Sequence, residues 1–202
     1  MTSRLRGTDR GLAVGLFPGS FDPAHRGHRH LADTALRRLA LDQVWWIPSP
    51  QNPLKSDQSP YAERAASVRA LRLPPRMRVT HVERDLDTRY TVDTIRSLRK
   101  RFPRTRFVLL LGADNLAQLP LWKDWKRLLR LVPLAVVSRP GEEMLRARTG
   151  RVARQFARHR LLESAARTLK NRPPPAWVFI TSPLDGESSS RIRAETAKAF
   201  EH

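Results

Sequence analysis

The chain has 202 residues, no cysteine and a formal net charge of +19. Without cysteine there can be no disulfide, thiolate metal site or cysteine nucleophile, and no run of about eighteen apolar residues is present to span a bilayer. The apolar share of 40% is enough for a packed core at this length, and the charge favours anionic partners.

Residues 1–10 read as a basic tail and residues 11–202 as one domain. The apolar stretch after the tail is too short for a secretory signal, so a cytoplasmic protein is the simplest expectation. A first strand is predicted at LAVGLF (12–17). Leu31, Ala35, Leu36 and Leu39 then recur at helical spacing, with Arg37 and Arg38 outside. QVWWIP (43–48) is the next strand, with Trp45 and Trp46 assigned to the core and a sheet-edge contact. MRVTHV (77–82) follows, then a helix in YTVDTIRSLRKRF through Val92, Ile95, Leu98 and Phe102. Strands are predicted at 106–112, 133–138 and 176–181, the last after a long basic helix stopped by Pro173, Pro174 and Pro175.

Alternating β and α elements predict an α/β fold, a Rossmann-like, doubly wound parallel sheet with helices on both faces. In such sheets ligands sit beyond the carboxyl ends of the strands, where strand order reverses. The residues just after each strand are therefore the candidates. Arginines dominate RARTGRVARQFARHR and LRKRFPRTR, spaced as on solvated helix faces. Too few aromatics interleave with them for base stacking, so nucleic acid is not expected as a partner. The amphipathic stretch 142–170 could pack on a second copy of the chain, making a homo-oligomer.

After the first strand comes GSFDPAHRGH (19–28). Gly19 lets a ligand approach the main chain, Pro23 fixes a turn, and His28 is expected to open the next helix. A helix N-terminus is a ready anion site, and imidazoles beside it can donate to phosphate oxygens. A zinc site from His25, His28 and His30 lacks a nearby carboxylate or fourth ligand. A covalent phosphoryl acceptor would need an orienting group the motif does not show. A chance surface loop would not bring a glycine turn, two spaced histidines and a helix start together after a strand.

The stretch resembles the HxGH signature of the nucleotidyltransferases, in which such a segment binds the triphosphate of ATP. Four later stretches narrow the likeness: SPQNPLK (49–55), TRYTVDT (88–94), LGADNLAQLPLWKDW (111–125) and SSSRIR (188–193). In this order they are similar to the patterns of the bacterial nicotinate-nucleotide adenylyltransferases, with the tryptophan motif as the discriminating one. Two positions depart from the pattern. Pro18 stands where glycine is usual and removes an N–H donor at the turn, and Ser190 replaces a threonine while keeping its hydroxyl.

The resemblance implies transfer of AMP from ATP to nicotinate mononucleotide, with release of pyrophosphate. It implies ATP contacts from Gly19, Ser20, Phe21, His25, His28, Gly112, Asp114, Ser189, Ser190 and Arg193. Of these His25, His28 and Arg193 would carry the catalytic charge neutralisation. The acceptor would meet Asn52, Lys55, Tyr90, Thr91 and Trp122, the last stacked on the pyridine ring. Trp125, three residues on, is expected to share the helix face of Trp122 and turn into the core. The attacking phosphate is already ionised at neutral pH, so no general base is required. Mg²⁺ would enter with ATP, bridging phosphates and water, since no carboxylate cage is visible. The rivals are an adenylyltransferase for phosphopantetheine or the amidated mononucleotide, and a non-catalytic basic nucleic-acid-binding domain.

Overall fold

The structure is a computed structural model describing residues 11–51, 57–138 and 147–182. Its strands are β1 (Ala13–Gly19), β2 (Gln43–Pro48), β3 (Met77–Val79), β4 (Arg106–Gly112), β5 (Leu134–Ser138), β6 (Arg160–Leu161) and β7 (Trp177–Thr181). The helices are α1 (Arg26–Arg38), α2 (Tyr61–Ala70), α3 (Val82–Asp85), α4 (Thr91–Arg101), α5 (Ala113–Gln118), α6 (Trp125–Leu131) and α7 (Arg151–Gln155). All the strands pair in parallel, in the order β3-β2-β1-β4-β5-β7-β6.

Alternation along the strands sorts the apolar side chains between two faces. On one face Val14, Leu16, Trp45, Ile47, Leu109 and Leu111 pack against Val92, Ile95 and Leu98 of α4 and Leu128 and Leu129 of α6. On the other, Ala13, Phe17, Val44, Trp46, Val108 and Leu110 meet Leu31, Ala32, Ala35 and Leu36 of α1. Both faces are covered, as a parallel sheet of near-continuous apolar strands requires. No described helix is long and apolar enough to cross a membrane.

The doubly wound architecture matches the expectation, and the differences are local. The third strand ends at Val79, and Val82 already starts α3. Trp45 and Trp46 are both fully buried, one on each face, and neither makes an edge contact, because β3 lies outside β2. Among the described residues no long basic helix precedes β7. α7 is followed by a 3₁₀ turn at Ala157–His159, the short strand β6, and a 3₁₀ segment at Glu163–Asn171. Its buried residues Ala166 and Leu169 are three apart, so they lie on one side of the 3₁₀ helix.

Candidate active site

β1 pairs with β2 on one side and β4 on the other, so strand order reverses between β1 and β4. Its ladder to β2 continues to Gly19↔Pro48, whereas that to β4 ends at Leu16↔Leu109. Past that pair the two strands part, and a crevice opens at their carboxyl ends. Pro18 lies beyond the last β4 pairing, where its missing N–H interrupts no rung of that ladder. Counting three residues on from Leu16↔Leu109 sets Gly19 level with Gly112, one on each wall.

The turn after β1 is fixed from several directions. A Cβ at Gly19 would lie 3.0 Å from the ring of Phe21, so a side chain there must displace a buried aromatic. Phe21 has a φ of 50° and is only 2% exposed. Its ring packs edge-on against Phe17 and His28, at centroid distances of 5.3 and 5.2 Å. The Phe21 side chain thus belongs to the core beneath the turn, and only its backbone can face a ligand. The Asp22–Pro23 peptide is cis.

α1 opens at Arg26, two residues earlier than expected, with His25 as N-cap and His28 in its first turn. The Nδ1 of His25 accepts from the Gly27 N–H at 3.1 Å. In return His28 Nδ1 accepts from the His25 N–H at 3.3 Å. This is a reciprocal capping box built from imidazoles instead of a hydroxyl and a carboxylate. Each Nδ1 is committed as an acceptor, so in the neutral ring the proton sits on Nε2. The two rings stand side by side, 3.9 Å between centroids, presenting like donors at a helix N-terminus. His30 goes elsewhere: its Nε2 meets the Ser182 hydroxyl at 2.8 Å, just past β7.

α2 braces this turn from behind. Arg64 is 2% exposed and donates from Nη1 to the carbonyls of Ser20 at 2.7 Å and Ser49 at 2.8 Å. Its Nε reaches Ser59 O at 2.8 Å and its Nη2 reaches Pro50 O at 2.9 Å. Burial lowers its affinity for the proton, and the charges of Asp22 and Tyr61 work the other way. One turn further along α2, the Ser67 hydroxyl accepts from the Ala24 N–H at 2.9 Å. Neither residue was singled out from the sequence. The available signal was an arginine on the same side of α2 as the buried Ala65 and Val68.

On the opposite wall, Gly112 is the N-cap of α5 and Asp114 its second residue, so Asp114 does not cap the helix. Asp114 is exposed and accepts from Asn115 Nδ2 at 3.1 Å. A Cβ at Gly112 would stand 2.5 Å from Asp114 Oδ1 and 3.7 Å from Leu31 Cδ1 of α1. The bare glycine thus lets the carboxylate fold back over the strand end, close to α1.

Of the remaining candidates, Tyr90 and Thr91 stand at the N-terminus of α4. Tyr90 is its N-cap, 37% exposed, and Thr91 its first residue. Lys123 Nζ lies 4.5 Å from the Tyr90 ring centre and 3.1 Å from Asp93 Oδ2. That contact joins the Trp122 segment to α4 and adds a cation that sequence reading missed. Trp122 is half-buried and closes a 3₁₀ turn in extended conformation, while Trp125 starts α6. The two tryptophans therefore do not share a helix face, although Trp125 is in the core as expected, edge-on to Phe156.

Beneath this end lies Glu83, 3% exposed. Burial pushes its carboxyl from 4.5 up to about 7, against the pull of hydrogen bonds from Ser49 and Thr94. Its Oε2 has no hydrogen-bond partner among the described residues. Asn52, Lys55, Ser189, Ser190 and Arg193 lie outside the described residues, as do residues 1–10 and part of 142–170. The described residues contain no cluster of three or more histidine, aspartate or glutamate side chains that could hold a metal ion.

The cytidylyltransferase-like family model matches residues 16–195. A Caulobacter protein named "Probable nicotinate-nucleotide adenylyltransferase" is 48% identical over 93% of this chain and 100% of its own length. A Ruegeria pomeroyi protein of the same name is 46% identical over 91% of this chain and 86% of its own. Among solved structures, a Plasmodium falciparum nicotinic acid mononucleotide adenylyltransferase complexed with NaAD superposes with a TM-score of 0.66. It covers 91% of this chain and 83% of its own at 15% identity, a likeness of fold. By the match along nearly its whole length, the chain belongs to the cytidylyltransferase-like family, within the group of the nicotinate-nucleotide adenylyltransferases.

Proposed function

We propose that this chain transfers AMP from ATP to nicotinate mononucleotide, giving nicotinate adenine dinucleotide and pyrophosphate, a step of NAD biosynthesis. The observation that carries the reading is the imidazole capping box at the head of α1, directly beyond β1 where strand order reverses. Two adjacent imidazoles and the positive dipole end of α1 come together there, and an ATP triphosphate is the ligand such a spot suits. The names of the relatives supply the acceptor.

The residues then divide the work. The backbone at Gly19 and Ser20 lines the triphosphate, with His25 and His28 donating to its oxygens. Asp114, on the facing wall, accepts from the ribose hydroxyls of ATP. Trp122 stacks on the pyridine ring, while Tyr90, Thr91 and the Lys123 ammonium face its carboxylate. Ser189, Ser190 and Arg193 complete the phosphate site, and Asn52 and Lys55 the acceptor side, as the motif likeness implies.

An oxygen of the acceptor's phosphate forms a bond to the α-phosphorus of ATP in line with the bond that breaks, and pyrophosphate departs with that electron pair. A phosphate monoester is mostly dianionic at neutral pH, so no base has to take a proton. The protein's share is positioning and neutralising charge as it moves to the leaving group. Mg²⁺ suits this site only as a passenger on the nucleotide. Asp22 accepts from Ser59 N–H and Asp114 from Asn115, single carboxylates that fit an ion held chiefly by phosphates and water. When bound, it would neutralise phosphate charge.

The test offers the purified chain ATP with nicotinate mononucleotide, nicotinamide mononucleotide or phosphopantetheine, and follows pyrophosphate. Release with nicotinate mononucleotide in clear preference is expected. Preference for either other acceptor reassigns the substrate, and no release with any acceptor contradicts the activity.

A further inference from the structure

Arg64 is a full positive charge taken out of water, a costly arrangement unless its donors are all used. It donates to four main-chain carbonyls from three separate segments. Ser20 belongs to the turn beyond β1, and Ser49 and Pro50 belong to the chain leaving β2. Ser59 belongs to the chain on its way into α2. Carbonyls at the mouth of a ligand crevice have no ladder partners, and a planar five-donor fork can gather several of them at once. A single Nη1 nitrogen joins Ser20 to Ser49, and Ser49 N–H also donates to Gly19 O at 2.9 Å. The turn that faces the nucleotide is thereby tied to the segment leading into residues 52–56, where the acceptor-binding candidates Asn52 and Lys55 stand.

We propose that Arg64 is a positioning residue for the transfer: its guanidinium holds the donor turn and the acceptor segment at the fixed separation that in-line attack needs. It touches neither substrate and acts through the main chain of Ser20, Ser49 and Pro50. The inference rests on the activity proposed above. In-line displacement depends steeply on the gap between reacting atoms, so loosening the tie should lower kcat while each substrate still finds its own wall. A residue that only holds α2 in place would change melting temperature and leave the turnover of the folded fraction alone.

The experiment compares wild type, Arg64→Lys and Arg64→Met in pyrophosphate release. Assays run well below each protein's melting temperature, with KM measured separately for ATP and nicotinate mononucleotide. Lysine keeps the charge but has one nitrogen and cannot span four carbonyls, so both variants are expected to lose about 10²-fold in kcat. Both KM values are expected to stay within about threefold of wild type. If Arg64→Met does not fold, Arg64→Lys decides alone. Folded Arg64→Lys with wild-type kcat overturns the proposal, and so does a loss confined to KM. An inactive wild type would sink the proposed activity and this inference together, whereas an active wild type with indifferent Arg64 variants sinks this inference only.

Discussion

The two walls of the crevice are built to different standards. On the donor wall every turn from Gly19 to His28 is held by interior contacts: a glycine pressed on a buried ring, a reciprocal imidazole cap, and Arg64 and Ser67 of α2. On the acceptor wall the N-cap Tyr90 makes no side-chain capping bond, and Lys123, about half exposed, reaches α4 through an ion pair with Asp93. Exposed pairs of that kind contribute roughly 0–1 kcal/mol. A triphosphate is the same for every acceptor and rewards rigid preorganised donors. On the proposed reading the acceptor wall carries the specificity, and weakly held residues there can change without loosening the chemistry.

The contrast can be broken at either wall. Removing the donor imidazole in His28→Ala should cost the most, lowering kcat by about 10²–10³-fold. Stability should fall by only about 1 kcal/mol for the lost cap bond. Steady-state kinetics beside a urea melt check both, and near-normal turnover would take His28 out of the chemistry.

Glu83 sharpens the comparison, because it lies under the acceptor wall with an oxygen lacking a described partner. Its folded-state value of about 7 exceeds the ordinary 4.5. The native protein therefore holds a proton that the unfolded chain has released across that interval. Stability from this group is full below about pH 4.5 and is lost as pH rises to about 7, a change of about 3 kcal/mol. Glu83→Gln stays neutral throughout. Its stability relative to wild type should rise by that amount between pH 4.5 and 8 in urea melts, and a flat difference would contradict the assignment.

The smallest effect belongs to Trp122→Ala. Stacking on a heterocycle is worth about 1–3 kcal/mol, so KM for the pyridine nucleotide should rise at least about fivefold while KM for ATP holds. Equal changes in both would remove the stacking role.

Strand positions and winding were legible because buried parallel strands are short continuous apolar runs, as in LAVGLF and RFVLLLG. The turn after β1 stood out as a candidate because its glycine, prolines and histidines lie within ten residues of one another. The region after Gly150 misled, because an apolar residue every third or fourth position among arginines fits α and 3₁₀ helices alike. Arg64 and Glu83 were illegible for a different reason. Their importance comes from partners more than ten residues away along the chain, at Ser20, Ser49 and Thr94. Nothing in local spacing announces a buried charge beyond its place on an apolar face.

The most direct measurement is a crystal structure of the chain with a non-hydrolysable ATP analogue. The triphosphate should lie against the Gly19–Ser20 backbone at the head of α1, with Nε2 of His25 and His28 about 3 Å from its oxygens. A nucleotide seated elsewhere, with both imidazoles turned into protein contacts, would contradict the placement of the donor at the end of β1.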